Sequence, residues 1–322
     1  MQILTDFPLN TILFYKIGGI AKTVLKIENK EDLSLAMEYI AQNKPRHVLP
    51  VGLGANLLMS DTVFDGVVLW FCKAESDSIQ IHSDGLLEIF TSVTLDDVIQ
   101  FSFENNLIGL EWAGGLPSSV GAAVRGNVGC FGHEIQDVVE KVSAYDMKDS
   151  NSELRDLRKD ELRFGYRNSL LKQNKNMIVS SVWLQLKSAN SEEIEKAKQV
   201  YQENIDYRAS HHPIEYPSCG SVFKNITDPE AVEKIASIWP DAKESIDTKW
   251  HGKVSMGYVI NRFELSGYRV GGAQISQKHA NYISNIDHAK FDDVYSIIKL
   301  ISQRFFEAFG FYPEPEVEII SG

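Results

Sequence analysis

Short apolar runs alternate with an amphipathic segment along the first 70 residues. Residues 23–27, 47–51 and 66–71 are apolar and short, which predicts three strands. Asn29 precedes a segment whose apolar residues recur every three or four positions, which predicts a helix capped by the Asn29 side chain. Strands and helices are therefore expected to be mixed in this part of the chain.

Further strands and two long helices are predicted downstream. Residues 138–145 and 177–186 have the composition of strands. Residues 191–207 are typical of a charged surface helix, and residues 292–309 place apolar side chains on one face of a helix that ends at Gly310. The pattern favours an α+β fold over a regular alternation of parallel strands and helices.

The chain is too long for one ordinary hydrophobic core. It has 322 residues, whereas single cores stop growing near roughly 250–300 residues. Glycine-bearing apolar segments return after residue 208, so we expect a domain boundary near residues 190–210. Hydrophobic residues make up 43% of the chain and charged residues 24%, which is typical of globular proteins and excludes a disordered chain.

Charge and cysteine content narrow the range of partners. The formal net charge of −12 disfavours binding to nucleic acid or to an anionic membrane surface. The three cysteines lie far apart, so neither a metal site nor a disulfide framework is predicted. The first residues do not resemble a targeting segment and the apolar runs are strand-sized, so the expected location is the reducing cytoplasm.

A glycine turn after the strand 47–51 is a candidate phosphate-binding loop. Its pattern, Gly52-x-Gly54-x-Asn56, allows backbone N–H groups to approach a phosphate closely. A Rossmann turn is excluded because Leu57 stands where a third glycine is required and turn residues follow instead of a helix. An ordinary strand and turn without a ligand remains the alternative.

A second glycine-rich segment covers residues 114–132. It holds six of the 22 glycines, and its other residues are mostly apolar rather than polar. Glycines in an apolar setting indicate backbone pressed against a ligand or against another backbone. Two such loops suit an extended cofactor that contains a pyrophosphate, and buried tight turns are the alternative.

Three polar residues stand in segments that suit chemistry. Arg167 can clamp a carboxylate, or it can be a surface arginine stacked on Tyr166. Ser221 lacks the flanking glycines of a hydrolase nucleophile, so it is either a buried proton donor or a structural serine. Glu316 and Glu318 would share one face of a strand, where glutamates are usually solvated unless the fold brings one into a site.

The cysteine and histidines near Ser221 are not expected to form a nucleophile or a metal site. Cys219 has no evident activating partner, which favours a small buried thiol. His211 and His212 are adjacent, and in an extended chain their side chains point apart. No third ligand follows at metal spacing, so no metal is predicted.

Taken together, these five segments and a sixth at residues 271–281 resemble the UDP-N-acetylenolpyruvoylglucosamine reductase (MurB) family, flavoenzymes of peptidoglycan precursor synthesis, in the family's order. The resemblance covers nearly the whole chain. It implies a two-lobed FAD-binding module of the vanillyl-alcohol-oxidase type followed by an α+β substrate-binding domain. On this pattern residues 1–70 and 71–205 are the two lobes, and residues 206–322 are the substrate domain, whose last strand can return to the first lobe.

The resemblance also implies which residues form the site, without a metal. The catalytic residues are Arg167, Ser221 and Glu316. The contacts to non-covalently bound FAD are Gly52, Gly54, Ala55, Asn56, Leu57, Gly115, Pro117, Ser118, Gly121, Asn127 and Gly129. The substrate contacts are Tyr166, Lys224, Asn225, Arg269 and Gln274.

The implied reaction has two halves and is expected to take place in a monomer. NADPH first reduces FAD, and the flavin then delivers hydride to UDP-N-acetylglucosamine enolpyruvate, giving UDP-N-acetylmuramate. Arg167 and Glu316 would stabilise the developing enolate, and Ser221 would protonate the adjacent carbon. The alternatives are another FAD-dependent oxidoreductase on the same fold, or a catalytically silent paralogue that binds a nucleotide sugar or a partner protein.

Two departures from the family pattern concern the substrate domain. Ser266 stands where the family commonly has a lysine near the substrate diphosphate. Arg269 is the first candidate to replace that cation, and Lys253 and Arg262 are the others. The segment 225–251 is longer than the usual linker.

Overall fold

The structure is a computed structural model that describes residues 1–74, 78–148 and 153–321. The helices in these ranges are α1 Lys30–Asn43, α2 Leu95–Glu104, α3 Val120–Gly126, α4 Leu170–Gln173, α5 Ser191–His211, α6 Pro229–Ile238, α7 Ala242–Thr248, α8 Met256–Arg262 and α9 Phe291–Phe309. The strands are β1 Gln2–Pro8, β2 Ile20–Ile27, β3 Val48–Val51, β4 Leu57–Met59, β5 Phe64–Phe71, β6 Ile79–Ile81, β7 Leu86–Phe90, β8 Leu107–Ile108, β9 Gly129–Cys130, β10 His133–Glu134, β11 Val139–Asp146, β12 Leu154–Arg158, β13 Met177–Gln185, β14 Lys187–Ser188, β15 Arg269–Val270, β16 Ala273–Ile275, β17 Ile283–Asn285 and β18 Glu318–Ile320.

Two compact units make up the chain, and each has its own buried apolar cluster. The first unit comprises residues 1–7, 21–53 and 65–210. The second comprises residues 8–20, 54–64 and 211–322. The three-part division into two lobes and a substrate domain stays a prediction.

The first unit contains two main sheets. One has the strand order β1-β2-β5-β3, with β3 and β5 parallel, and the other has the order β12-β11-β13-β7-β6 and is antiparallel where its pairings are described. Helix α1 begins where predicted, because the Asn29 side chain accepts a hydrogen bond from Asp32 N at 2.8 Å. Its apolar face, which includes Leu33 and Met37, is buried in the core of this unit.

The second unit is built around the three-stranded antiparallel sheet β15-β16-β17 and helix α9. Helix α9 buries one apolar face and ends at Gly310, whose φ of 74° is a conformation that glycine adopts without strain. Strand β18 pairs in parallel with β4, with Glu318 opposite Leu57. The long segment 225–251 forms α6 and α7, which bury Ile235 and Ile246 in the core of this unit.

Most predicted elements are confirmed, and their bounds differ by a few residues. The helix predicted over 191–207 continues to His211 and ends just before His212, the residue that precedes Pro213. A residue before proline is disfavoured in helical conformation, which accounts for this end. His211 is therefore helical, and the expectation of an extended chain at the histidine pair is wrong. None of the described helices combines the length and the apolar character that crossing a membrane requires.

Candidate active site

The two glycine segments meet in the first unit at the start of helix α3. A Cβ atom on Gly52 would lie 3.2 Å from Ser119 Oγ, and Ser119 caps α3. A Cβ atom on Gly121 would overlap Thr91 Oγ1, because Gly121 N donates a hydrogen bond to Thr91 O at 3.0 Å. Close approach to Thr91 therefore requires glycine at residue 121, whereas a side chain at residue 52 would press on the Ser119 hydroxyl.

The open side of this junction carries other predicted cofactor contacts. Gly115 and Pro117 are exposed, and Ser118 is half-buried with its hydroxyl donating to Ser119 O at 3.0 Å. Ser92 lies in the turn beside Thr91, and its buried hydroxyl has no hydrogen-bond partner within the described residues. Glycine allows the backbone to come close to a ligand, and the Ser92 hydroxyl can accept a further hydrogen bond. Both features fit the phosphate-bearing part of an extended cofactor such as FAD.

Arg208 joins the two ends of the second glycine segment, and the sequence did not single it out. It lies in the last turn of α5 and donates from Nε to Gly114 O at 2.9 Å and from Nη2 to Cys130 Sγ at 3.0 Å. Burial raises the pKa of the Cys130 thiol, although the Arg208 charge opposes this shift. In the sequence, Arg208 is simply an arginine near the end of a charged helix, and no motif marks it as a contact to the glycine segment.

Asn127 connects the second glycine segment with the loop that carries Arg167. Its side chain is fully buried and donates to Glu134 Oε2 and to Gly165 O, both at 2.9 Å. Its Oδ1 accepts from Gln136 N at 3.3 Å. These bonds engage the amide with protein partners, so the FAD contact predicted for Asn127 would involve its backbone.

Arg167 is held in one orientation within the first unit. Its Nη2 donates to Gly129 O at 2.8 Å, and its guanidinium lies 5.3 Å from the centre of the Tyr166 ring. The residue has a φ of 53°, and its carbonyl accepts from Lys172 Nζ at 3.0 Å. The stacking on Tyr166 that the sequence offered as a structural alternative is therefore present, together with a bond to the predicted cofactor residue Gly129.

Ser221 and Glu316 lie on adjacent segments of the second unit. The carbonyl of Val222 accepts hydrogen bonds from Glu316 N at 2.8 Å and from Val317 N at 3.3 Å. Because Glu316 N bonds to this segment, strand β18 begins only at Glu318, and the prediction that Glu316 lies in the same strand is wrong. Both Ser221 and Glu316 are half-buried, so Ser221 is less enclosed than expected.

Asn56 ties the first glycine turn to Glu316 within the second unit. Its Nδ2 donates to Glu316 O at 3.1 Å, and its carbonyl accepts from Glu318 N at 3.0 Å. Leu57 is buried in β4, Ala55 is half-buried, and Gly54 has a φ of 65° with a Cβ position only 2.9 Å from Leu13 Cα. Only glycine fits at residue 54, because a side chain there would be both strained and obstructed.

Asn281 also holds the segment that carries Ser221. Asn281 O accepts from Val222 N at 2.8 Å, and its buried amide exchanges hydrogen bonds with Phe223 N at 3.0 Å and Phe223 O at 2.8 Å. Cys219 is buried, as predicted, and burial raises the pKa of its thiol to about 12. The sequence did not indicate the structural role of Asn281.

The residues predicted to contact the substrate are already engaged in the second unit. Lys224 pairs with Glu314, and Asn225 Oδ1 accepts from Met256 N at 3.1 Å. Gln274 Nε2 donates to Gly267 O at 3.0 Å. These bonds hold the three side chains in place, and their substrate contacts stay predictions.

The candidate replacements for the missing lysine have protein partners. Arg269 donates to Gly271 O at 2.7 Å and pairs with Asp287 at 3.1 Å on the surface. Arg262 pairs with Asp241, and its guanidinium lies 4.7 Å from the centre of the Trp239 ring. An exposed ion pair contributes little, about 0–1 kcal/mol, so a diphosphate can compete with Asp287 for Arg269.

Comparisons with known proteins agree with this architecture. Residues 21–157 match the FAD binding domain family, and residues 212–320 match the family described as UDP-N-acetylenolpyruvoylglucosamine reductase, C-terminal domain. The chain is 33% identical over 321 residues to the UDP-N-acetylenolpyruvoylglucosamine reductase of Caldicellulosiruptor bescii, a match that covers 99% of this chain and 91% of the relative. It is 32% identical to the enzyme of that name from Prochlorococcus marinus, covering 97% and 96% of the two chains.

A solved structure supports the same assignment. The crystal structure of UDP-N-acetylenolpyruvylglucosamine reductase (MurB) from Thermus caldophilus matches with a TM-score of 0.72 and 25% identity, covering 99% of this chain and 98% of that one. The FAD-binding module and the second domain predicted from the sequence are thereby confirmed. This chain belongs to the UDP-N-acetylenolpyruvoylglucosamine reductase family.

Proposed function

We propose that this chain reduces UDP-N-acetylglucosamine enolpyruvate to UDP-N-acetylmuramate with NADPH as reductant and FAD as resident cofactor. The observation that carries the proposal is the pairing of Ser221 and Glu316 through the Val222 carbonyl. A hydroxyl and a carboxyl group on adjacent segments provide a proton donor beside a group that can bind developing charge. A catalytically silent nucleotide-sugar binder has no need for this pair.

FAD would be held mainly by backbone at the junction of Gly52, Ser119 and Gly121. The close approach that glycine allows there, and the unsatisfied Ser92 hydroxyl, support this placement. The chemistry that a bound FAD supplies is the acceptance of hydride from NADPH and its delivery to the enolpyruvyl double bond. Arg208 would keep the second glycine segment in its binding conformation through its bonds to Gly114 and Cys130.

Arg167 and Glu316 are proposed to stabilise the enolate, whose negative charge develops on the carboxylate of the enolpyruvyl group. The bond from Arg167 to Gly129 O keeps the guanidinium oriented, so little reorganisation is needed when negative charge develops. The backbone bonds of Glu316 to Val222 and Asn56 hold its carboxyl group in a defined place. Tyr166 would support the same region by stacking on Arg167.

Ser221 is proposed to deliver the proton that completes the reduction. A neutral hydroxyl suits this step because it can donate without first acquiring a proton at neutral pH. The segment that carries Ser221 is held by backbone bonds of Val222 to Asn281 O and to Glu316 N, which limits its movement. Positioning of a donor within hydrogen-bond reach is the main requirement for general acid catalysis.

The remaining proposals concern partners and location. Lys224, Asn225 and Gln274 would contact the nucleotide sugar, and Arg269 would provide the cation that faces its diphosphate. The enzyme would act as a monomer in the cytoplasm, where nucleic acid and membrane are not partners. The net charge of −12 and the absence of a predicted disulfide framework support this setting.

The decisive experiment separates the two half-reactions in a Ser221→Ala variant. NADPH should bleach the flavin absorbance at the normal rate, because that step needs no proton from Ser221. Recovery of the absorbance with the enolpyruvyl substrate should slow by roughly 10²–10⁴-fold, as expected for loss of a general acid. Ser237→Ala is the matched control, since Ser237 is exposed and its hydroxyl bonds only within α6. Fast recovery in Ser221→Ala would show that Ser221 is structural.

A further inference from the structure

Arg167 lies at the tip of a tight turn that is closed by a single residue pair. Gly165 and Asn168 form an antiparallel bridge, in which Gly165 N donates to Asn168 O at 3.1 Å and Asn168 N donates to Gly165 O at 3.0 Å. Only Tyr166 and Arg167 stand between the two, so a shift of Gly165 moves the Arg167 backbone directly. Arg167 has a φ of 53°, which is uncommon for a residue with a side chain. The direction of its guanidinium therefore depends on what holds the base of the turn.

The base of this turn is bound by the buried amide of Asn127. Gly165 O accepts a second hydrogen bond, from Asn127 Nδ2 at 2.9 Å. The same amino group also donates to Glu134 Oε2 at 2.9 Å, and Asn127 Oδ1 accepts from Gln136 N at 3.3 Å. An amide amino group has two donors, and both are used here. Glu134 therefore determines how the Asn127 amide is presented to the turn.

Glu134 also lies against the group that binds the Arg167 side chain. In the antiparallel pair of β9 and β10, Glu134 is opposite Gly129, whose carbonyl accepts from Arg167 Nη2 at 2.8 Å. A Cβ atom on Gly129 would lie only 2.7 Å from Glu134 Cγ, so the Glu134 side chain packs directly on the Gly129 backbone. Glu134 thus contacts both groups that hold Arg167, one at its backbone and one at its guanidinium.

A carboxylate suits this place because it only accepts hydrogen bonds. Glu134 Oε2 accepts from the amino groups of both Asn127 and Gln136. Hydrogen bonds to an ionised carboxylate are stronger than those between neutral groups. The backbone of the same residue is held as well, since Glu134 N donates to Asp137 Oδ2 at 3.0 Å. The Glu134 carboxylate is therefore a firm anchor for Asn127.

We propose that Glu134 is the positioning residue for Arg167, acting through Asn127 on the turn and through Gly129 on the guanidinium. This inference rests on the proposed function, because it needs Arg167 to bind the enolate. A group that is already oriented needs no reorganisation as charge develops, and a misplacement of about 1 Å can cost about 100-fold in rate. Glu134 acts on Arg167 and not on the substrate, so its effect belongs to the second half-reaction alone.

Stopped-flow measurement of the two half-reactions, at saturating FAD, tests this role. Glu134→Ala should slow flavin reoxidation by the enolpyruvyl substrate roughly 10–100-fold and leave flavin reduction by NADPH unchanged. Arg167→Ala should slow reoxidation more, by roughly 10²–10³-fold, as expected for loss of a group that binds the developing anion. The double variant Glu134→Ala/Arg167→Ala should reoxidise within about twofold of Arg167→Ala, because no guanidinium is left to position.

Two conservative variants separate the position of the side chain from its charge. Glu134→Asp keeps the charge but is one methylene shorter, so it should lose contact with Asn127 and be slow. Glu134→Gln keeps the length and one oxygen acceptor, so it should retain most of the rate. If Glu134→Ala does not fold, Glu134→Asp takes its place in the double variant. Glu140→Ala is the matched control, because Glu140 is exposed and bonds to Lys159 N through its carbonyl oxygen.

The outcomes distinguish failure of this inference from failure of the proposed function. If the Glu134 substitution slows Arg167→Ala by the same factor as it slows the parent enzyme, Glu134 acts elsewhere and the inference is overturned. If Glu134→Asp is fast and Glu134→Gln is slow, charge matters rather than position, and the inference is again overturned. If only Arg167→Ala is slow, Glu134 is not needed and the proposed function stands. If Arg167→Ala reoxidises at the normal rate, the assignment of Arg167 and this inference fail together.

Discussion

Replacing Gly121 by alanine tests the close packing that underlies the cofactor junction. The added methyl group would overlap Thr91 Oγ1, and it would lie 3.0 Å from Thr91 Cβ and 3.1 Å from Thr91 O. Thr91 is buried, and a β-branched side chain has few alternative rotamers. The backbone oxygen cannot move without breaking its hydrogen bond to Gly121 N. Relaxation must therefore shift α3 or the turn at Thr91.

Gly126 in the same helix provides a matched control, because alanine there should change the free energy of unfolding in the opposite direction. Overpacking by one methyl group in a buried region costs about 1–3 kcal/mol, so Gly121→Ala should lower the free energy of unfolding by that amount. A Cβ atom on Gly126 would meet nothing within 4 Å, and Gly126 is helical. Alanine there should raise stability by about 0.5–1 kcal/mol, because it restricts the unfolded chain.

Urea unfolding of the holoenzyme, followed by circular dichroism, measures both changes. The FAD dissociation constant, measured by flavin fluorescence, should rise in Gly121→Ala and stay constant in Gly126→Ala. The double variant Thr91→Ala/Gly121→Ala should lose less free energy of unfolding than the two single variants lose together, because the overlap with Oγ1 is removed. Equal stability of Gly121→Ala and Gly126→Ala would refute the close contact at Thr91.

Two further predictions concern the second unit. Burial raises the pKa of Cys219 to about 12, whereas an unfolded thiol titrates near roughly 8.5. The stability contributed by the buried neutral thiol is complete below the unfolded pKa and is lost as pH rises toward the folded one. Through this group, the free energy of unfolding should thus fall by about 1.4 kcal/mol per pH unit above about pH 9. Urea titrations at several pH values measure this dependence, and Cys219→Ala should remove the part that Cys219 contributes. If the dependence on pH is the same in Cys219→Ala, the pKa of Cys219 is not raised. Arg269→Ala should raise the Michaelis constant for the nucleotide sugar roughly tenfold to a hundredfold and leave flavin reduction by NADPH unchanged; an unchanged constant removes Arg269 as the replacement cation.

Local structure and family membership were readable from the sequence. Asn29 caps α1 and Gly310 ends α9 as predicted, because capping and helix periodicity depend on residues three or four positions apart. The close approach at Gly121 was also indicated, since glycines in an apolar segment favour backbone pressed against another group. Six ordered motifs were sufficient to indicate the FAD module and the reductase family, which the comparisons confirm.

Only the tertiary structure decided which side chains became neighbours. Ser221 bridges Tyr282, and the Val222 carbonyl next to it binds Glu316 N, because three segments that are distant in sequence pack together. The amide of Asn127 is bound by protein groups, which the glycine pattern around it did not reveal. Arg208 reaches Gly114 only because α5 packs across that turn. Pairing partners and buried hydrogen bonds follow from packing over the whole unit, whereas a sequence motif describes a single segment of it.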